Sequence, residues 1–314
     1  MRILIWNDME GPTGIDRSEM FEDSNLYEQA RILATDDVNA AINGINRANP
    51  EALIDIFDGH GMGGNLILER LKPHNNFLGG GWMTTFYQMV KKGEVKEYDA
   101  VLLLGQHAAE GTENAFLNHT NTGLTALKVN GRYAGEAPQL AWLFGHFDVP
   151  VLLVVGDEAC IREVKALLHG IETVAVKKSI SKDYAESLPL EKAHKYIDQA
   201  AFNVIMNISS FKPYKVDLPV RIGIYYFTEE MAEIHSKFPR TVRTGKNSVE
   251  YIADDYLEGW LAYNICRIIS QYYLRAEGLK LLKELDGAIE VEKKFIDTFK
   301  KKLKEEYPFE TVKY

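Results

Sequence analysis

Asp8 and Glu10 follow the apolar run Ile3-Leu4-Ile5-Trp6. That run is too short for a helix of its own and reads as a buried first strand, which Gly11-Pro12 turns into a loop. Residues two apart in extended chain point the same way, so Asp8 and Glu10 face one side and Met9 the other. Two anions converging at the edge of a core repel each other unless a cation or hydrogen-bond donors lie between them. The pair is half of a metal site or two solvated loop acids, and this stretch alone does not decide between them.

Two further apolar runs end in the same manner. Ala52–Phe57 breaks at Asp58-Gly59-His60-Gly61, and Ala100–Leu104 breaks at Gly105-Gln106-His107. In an open parallel sheet, ligands gather in the crevice outside the carboxyl ends of the strands. Three strands would then deliver Asp8, Glu10, Asp58, His60 and His107 to one place. A mixed imidazole and carboxylate set suits Zn²⁺ or Mn²⁺ better than Ca²⁺ or a thiolate metal. About five such donors exceed what one tetrahedral zinc takes, which implies two metals sharing a carboxylate.

Each residue has a plainer alternative. His60 could bond backbone from its loop, and His107 could be a satisfied core histidine. Asp58 could orient a ligand from behind rather than bind metal. Glu136, at a helix start, could simply complement the helix dipole, and His119 could be a loop histidine in water. Other residues carry no visible chemistry. His74, His146, His169 and His194 show no converging acids, and Glu229, Glu230, Glu233 and His235 read as a solvated acidic helix behind Thr228. Gly61-Met62-Gly63-Gly64 lacks the Lys-Ser/Thr of a phosphate loop. Cys160 has no base partner.

The elements that must position these residues alternate between strand and helix. Helices are predicted over Asn25–Ala48, Met83–Lys92, Gly135–Phe147, Ala159–Leu168, Glu191–Asn207 and Glu250–Glu277. Between them lie strands at Val149–Val155, Thr173–Val176 and Pro219–Phe227, and a hairpin whose Asn130-Gly131 suits a type I′ turn. This is an α/β fold, a mostly parallel sheet with helices on both faces. Residues 1–277 form the catalytic region, with a subdomain division placed near 150–215, and 278–314 form a charged helical C-terminal extension.

The 314 residues hold 36 Lys plus Arg against 45 Asp plus Glu, a net charge of −9, so a nucleic acid partner is not expected. Cys160 and Cys266 form no CxxC pair, which fits a reducing, cytoplasmic location. No signal peptide is expected ahead of Asp8, and no apolar run reaches the roughly 18 residues of a membrane span, so no membrane partner is expected.

The ordered set Asp8-Met9-Glu10-Gly11, His60, Gly105-Gln106-His107-Ala108, His119 and Gly135-Glu136 resembles the D-aminopeptidases. These are binuclear zinc peptidases first associated with dipeptide-transport operons in bacteria. The resemblance continues through Val149-Pro150-Val151-Leu152, Gly156-Asp157 and Val176–Ser181, covering roughly Met1 to Leu274. It implies two Zn²⁺ per subunit, with Asp8 bridging and Glu10, His60, His107 and Glu136 as the remaining ligands, and it makes His119 the catalytic residue. It further implies a metal-dependent aminopeptidase that hydrolyses the N-terminal bond of short, D-amino-acid-containing peptides through a metal-bridging water. The assembly implied is a homo-oligomer, a decameric ring. The alternatives are another binuclear amidohydrolase or phosphoesterase on the same scaffold, or a non-catalytic peptide- or metal-binding protein linked to peptide transport.

Overall fold

The computed structural model describes residues 1–80, 82–121 and 125–282. In chain order the elements are β1 (Arg2–Asn7), α1 (Ser24–Ala48), β2 (Leu53–Asp58), β3 (Asn76–Leu78), α2 (Trp82–Lys92) and β4 (Ala100–Gln106). The hairpin β5 (Thr125–Val129) and β6 (Arg132–Tyr133) follows, then α3 (Glu136–His146), β7 (Val151–Asp157), α4 (Glu158–Leu167), β8 (Glu172–Ser179) and β9 (Ala185–Ser187). The last elements are α5 (Leu190–Met206), β10 (Val220–Tyr226), α6 (Glu229–His235), β11 (Thr241–Gly245), β12 (Ser248–Ala253) and α7 (Tyr256–Leu282).

The main sheet runs β3-β2-β1-β4-β7-β8-β9, parallel except for β9 at its edge. Strand β1 lies at its heart and buries both faces, which is why Ile3–Trp6 is continuously apolar rather than alternating. Ile3 and Ile5 enter the core shared with α1 and α5. Trp6 points the other way, stacked on Phe57 at 4.1 Å and meeting Phe86 and Phe144 edge-on. Capping fixes where helices start: Asp23 accepts from the backbone N–H of Asn25 and Leu26, and Asp157 accepts from that of Cys160. Register does the rest, pairing Asn7 with Asp58 on one side and Leu104 on the other, so three strand ends stop at one level.

The second half of the chain adds a sheet and corrects one helix. Pro219–Phe227 is a strand, as read, but it does not join the parallel sheet. It becomes the centre of a separate antiparallel sheet, β11-β12-β10-β5-β6, whose hairpin turns at Asn130 and Gly131 with φ of +48° and +81°, as Asn-Gly requires. Residues 250–253, predicted as helix, belong to strand β12, because Val249 and Ala253 pack inward there with the period of two of a pleated strand. Two compact units divide between Asn264 and Ile265. Within the second, Ser270 donates to the Cys266 carbonyl one turn back. The predicted charged extension beyond Leu282 lies outside the described residues. Among the described residues no helix is long and apolar enough to cross a membrane.

Candidate metal centre

The crevice at the carboxyl ends of β1, β2 and β4 holds the predicted cluster. Its walls are made by two loops that cross in contact: Asp8 N–H donates to Leu104 O and Gly11 N–H to Gly105 O. A Cβ on Gly11 would lie 2.2 Å from Gln106 O, and one on Gly105, where φ is +69°, would lie 2.1 Å from Asp8 O. Glycine is obligatory at both positions, since any side chain would force the loops bearing Asp8, Glu10 and His107 apart.

His60 Nδ1 lies 3.0 Å from Asp8 Oδ1 and 3.2 Å from Glu10 Oε2. His107 Nε2 lies 3.7 Å from Asp8 Oδ2 and 3.4 Å from Glu136 Oε1. Asp8 thus turns one oxygen to each histidine. His119 stacks on His107 with centroids 4.1 Å apart, its Nε2 3.7 Å from Glu136 Oε1 and 4.0 Å from Glu10 Oε1. Among the described residues these atoms form three groups able to hold an ion: Asp8, Glu10 and His60; Asp8, His107 and Glu136; Glu10, His107 and His119.

All six predicted residues therefore converge, including Glu136 and His119, which the strand pattern alone left open. Asp58 does not join them. Its carboxylate accepts from Asn65 N, Asn65 Nδ2 and Leu66 N, and Asn65 Nδ2 also donates to His60 O, so Asp58 shapes the His60 loop from behind.

The donors fit a cation. His107 Nδ1 donates to Ala108 O and His119 Nδ1 donates to Leu117 O, because a carbonyl can only accept. Each ring therefore turns Nε2 inward, and that of His107 is buried without a hydrogen bond. The side chains' own charges oppose one another across the crevice. Burial alone would lower His60, but Glu10 and Asp8 outweigh it and push it up to about 12. Burial opposes the shift at His107 too, and Glu136, Glu10 and Asp8 hold it well above the usual imidazole range. Burial and the neighbouring Glu10 push Asp8 up to about 6. At Glu10 and Glu136 burial is overcome by the facing imidazoles, which hold Glu10 well below the carboxylate range and Glu136 at about 2. Asn121 N–H supports Glu136 further, donating to Oε1 at 2.7 Å.

The loop carrying His119 is irregular as predicted, and it is strained. Leu117 sits at φ +45°, a left-handed conformation costly for a bulky residue, held there by its N–H on Lys182 O. That twist delivers the Leu117 carbonyl to His119 Nδ1.

Lys177 had no predicted role. Only 2% exposed, it donates from Nζ to the carbonyls of Glu10, Pro12 and Ile15 at 2.6, 3.0 and 2.6 Å, and it lies 4.6 Å from the centre of the Phe116 ring. Burial draws its pKa down to about 8. It clamps the Glu10 loop from beneath. Asp37 does similar work, accepting from Thr13 N and Oγ1. Lys177 is thus spent on backbone carbonyls, and Arg132, a cation near the ligands in sequence, donates to Ala166 O.

Three residues read as inert are placed differently. His194 Nε2 lies 3.3 Å from Asp37 Oδ1, and His146 Nδ1 lies 3.9 Å from Asp255 Oδ1, so both do meet acids. His235 is fully buried against Tyr226 and Phe238 rather than solvated, because the amphipathic α6 turns it inward. Cys160 is a buried free thiol, pushed well above its usual range by burial and by Asp157.

A family model described as D-aminopeptidase matches residues 1–265. A D-aminopeptidase of Bacillus subtilis (strain 168) is 30% identical over 267 residues, which is 83% of this chain and 95% of that protein. Among solved structures, the Zn-dependent D-aminopeptidase DppA from Bacillus subtilis, a self-compartmentalizing protease, superposes with a TM-score of 0.77 at 26% identity, over 86% of this chain and 98% of that one. The chain belongs to the D-aminopeptidase family, enzymes that hydrolyse peptide bonds.

Proposed function

We propose that this chain is a zinc-dependent aminopeptidase that releases the N-terminal residue of short peptides, D-residues in particular, with two zinc ions per subunit. The observation that carries this reading is the convergence of three ion-competent groups on one crevice, two of them sharing Asp8. In it, Asp8, Glu10 and His60 would hold one ion and Asp8, His107 and Glu136 the other, with Asp8 common to both because it turns one oxygen to His60 and the other to His107. When bound, the ions polarise the scissile carbonyl and acidify the attacking water.

His119 is the catalytic residue. Its Nδ1–H is committed to Leu117 O, so Nε2 is the atom that exchanges protons. Its side chain is 28% exposed while that of His107 beneath it is 1% exposed, which supports a position facing the substrate. Nε2 takes the proton from the attacking water and returns it to the departing amine.

The D-preference and the assembly rest on the relatives. We extend self-compartmentalization from DppA to this chain as a closed homo-oligomer, a decameric ring. The two free cysteines agree with a cytoplasmic location. The test is hydrolysis of matched D- and L-aminoacyl amides and dipeptides by metal-replete protein, with a chelated control. Chelator-sensitive turnover of the D series is expected. Turnover favouring the L series would discard the D label, and no turnover by protein holding two zinc ions per chain would discard the peptidase.

A further inference from the structure

Glu163, on α4, contributes no atom to the three ion groups, yet both of its carboxylate oxygens are spent on the backbones that carry two of their members. Oε2 accepts from Ala109 N at 2.9 Å and Oε1 accepts from Gly135 N at 2.5 Å. Ala109 lies two residues beyond His107, and Gly135 lies immediately before Glu136. A single carboxylate therefore closes a short ring through His107, Ala109, Gly135 and Glu136, across which His107 Nε2 faces Glu136 Oε1 at 3.4 Å.

The surroundings are fitted to this contact. A Cβ on Gly135 would stand 2.7 Å from Glu163 Oε1 and 3.0 Å from Ala109 N, so only glycine lets the three groups meet. Gly135 is also the N-cap of α3 and has no side chain to cap with. Glu163 accepts the N-cap N–H from a neighbouring helix, as the third residue of a capping box does from within one. The group Asp8, Glu10 and His60 rests on different supports, Lys177 under the Glu10 loop and Asn65 on the His60 carbonyl.

We infer that Glu163 is a positioning residue that sets the separation of His107 and Glu136, and so tunes one of the two ion positions and not the other. This rests on the two-ion reading above. Glu163 also lines a cleft of about 600 Å³ with Gly111, Thr112, Tyr133 and Arg162. Truncating Glu163 therefore leaves the N–H groups of Ala109 and Gly135 facing space that a small carboxylate can enter.

The experiment titrates full-length metal-free protein with Co²⁺ and follows its visible absorption against a competing chelator. Wild type, E163Q, E163A and E163A with formate are compared, and H107A identifies the step belonging to the Asp8, His107 and Glu136 position. Gln offers one acceptor oxygen and sets its NH₂ against the other N–H, so E163Q should weaken that step by about 10- to 100-fold, the range for outer partners of metal ligands. The other step should not move. E163A should behave alike, and formate should restore its affinity and spectrum, which also shows the variant to be folded. Two unchanged steps in E163Q would overturn the inference, as would equal weakening of both steps or a defect in E163A that formate does not repair. Wild type that takes up no Co²⁺ would refute the two-ion reading as well. Two normal steps in wild type with E163Q unaltered would refute this inference alone.

Discussion

Loading the proposed metal centre should expel protons, and the charges facing its histidines set how many. In the metal-free chain His60 is held protonated up to about 12, with Glu10 and Asp8 outweighing burial, and His107 is held well above the ordinary range by Glu136, Glu10 and Asp8. Both therefore carry a proton at pH 7. Asp8, raised to about 6, keeps roughly a tenth of one there. Ligand nitrogens must be neutral, so filling both positions should release about two protons per chain. The free form binds the protons and the loaded form does not, so acid favours the free form. The product of the two zinc association constants should rise about a hundredfold per pH unit near neutrality. Calorimetry in buffers of different ionisation enthalpy reads the proton count from the slope of observed heat against buffer heat. Release of fewer than one proton would refute the argument, since it would mean the two imidazoles are already neutral among the three carboxylates.

His119→Ala should lower kcat by about 10²- to 10⁴-fold while zinc content stays at the wild-type level; unchanged turnover would remove His119 from the mechanism. Lys177→Met strands the buried carbonyls of Glu10 and Ile15 at about 1–3 kcal/mol each, while that of Pro12 keeps the Ile15 N–H, so urea unfolding in chelator should show a loss of roughly 2 kcal/mol or more, and a loss below about 1 kcal/mol would contradict the clamp. Gly11→Ala pushes a methyl group to 2.2 Å from Gln106 O, opening the loop crossing beneath Glu10. That chain should retain its circular-dichroism spectrum and hold fewer than one zinc ion, and full metal content would show that the crossing can yield without cost to the site.

Much of the proposed ligand set was legible because its carriers are neighbours in the sheet. Strands β2, β1 and β4 are adjacent and parallel, so three apolar runs each ending in His or carboxylate had to converge at one edge. Glu136 and His119 stand on a helix start and an irregular loop, where no period fixes direction, and only the resemblance to a family singled them out. The roles of Lys177 and Glu163 were invisible to both routes, although Lys177 lies in a stretch that carries the family resemblance. Their partners are backbone atoms up to 167 residues away, and a backbone carbonyl or N–H leaves no mark on a sequence. The antiparallel sheet was missed for a related reason: β10 reads as a strand, but what it pairs with is decided by the hairpin and by β12, not by its own residues.

The Lys177 clamp has a consequence for how the protein is made. The ammonium that secures the Glu10 loop leaves the ribosome 167 positions after Glu10 itself. At about 5–20 residues per second, that is an interval of roughly 10–30 s. Throughout it Asp8 and Glu10 lack Lys177 beneath them, and for its first 126 positions they lack Glu136 beside them as well. The nascent chain can bury β1 against β2 but cannot finish the mouth of that strand. The carbonyls of Glu10, Pro12 and Ile15 therefore gain their clamp only after β8 has been made, so a chain stopped short of residue 177 is expected to leave the Glu10 loop unsecured.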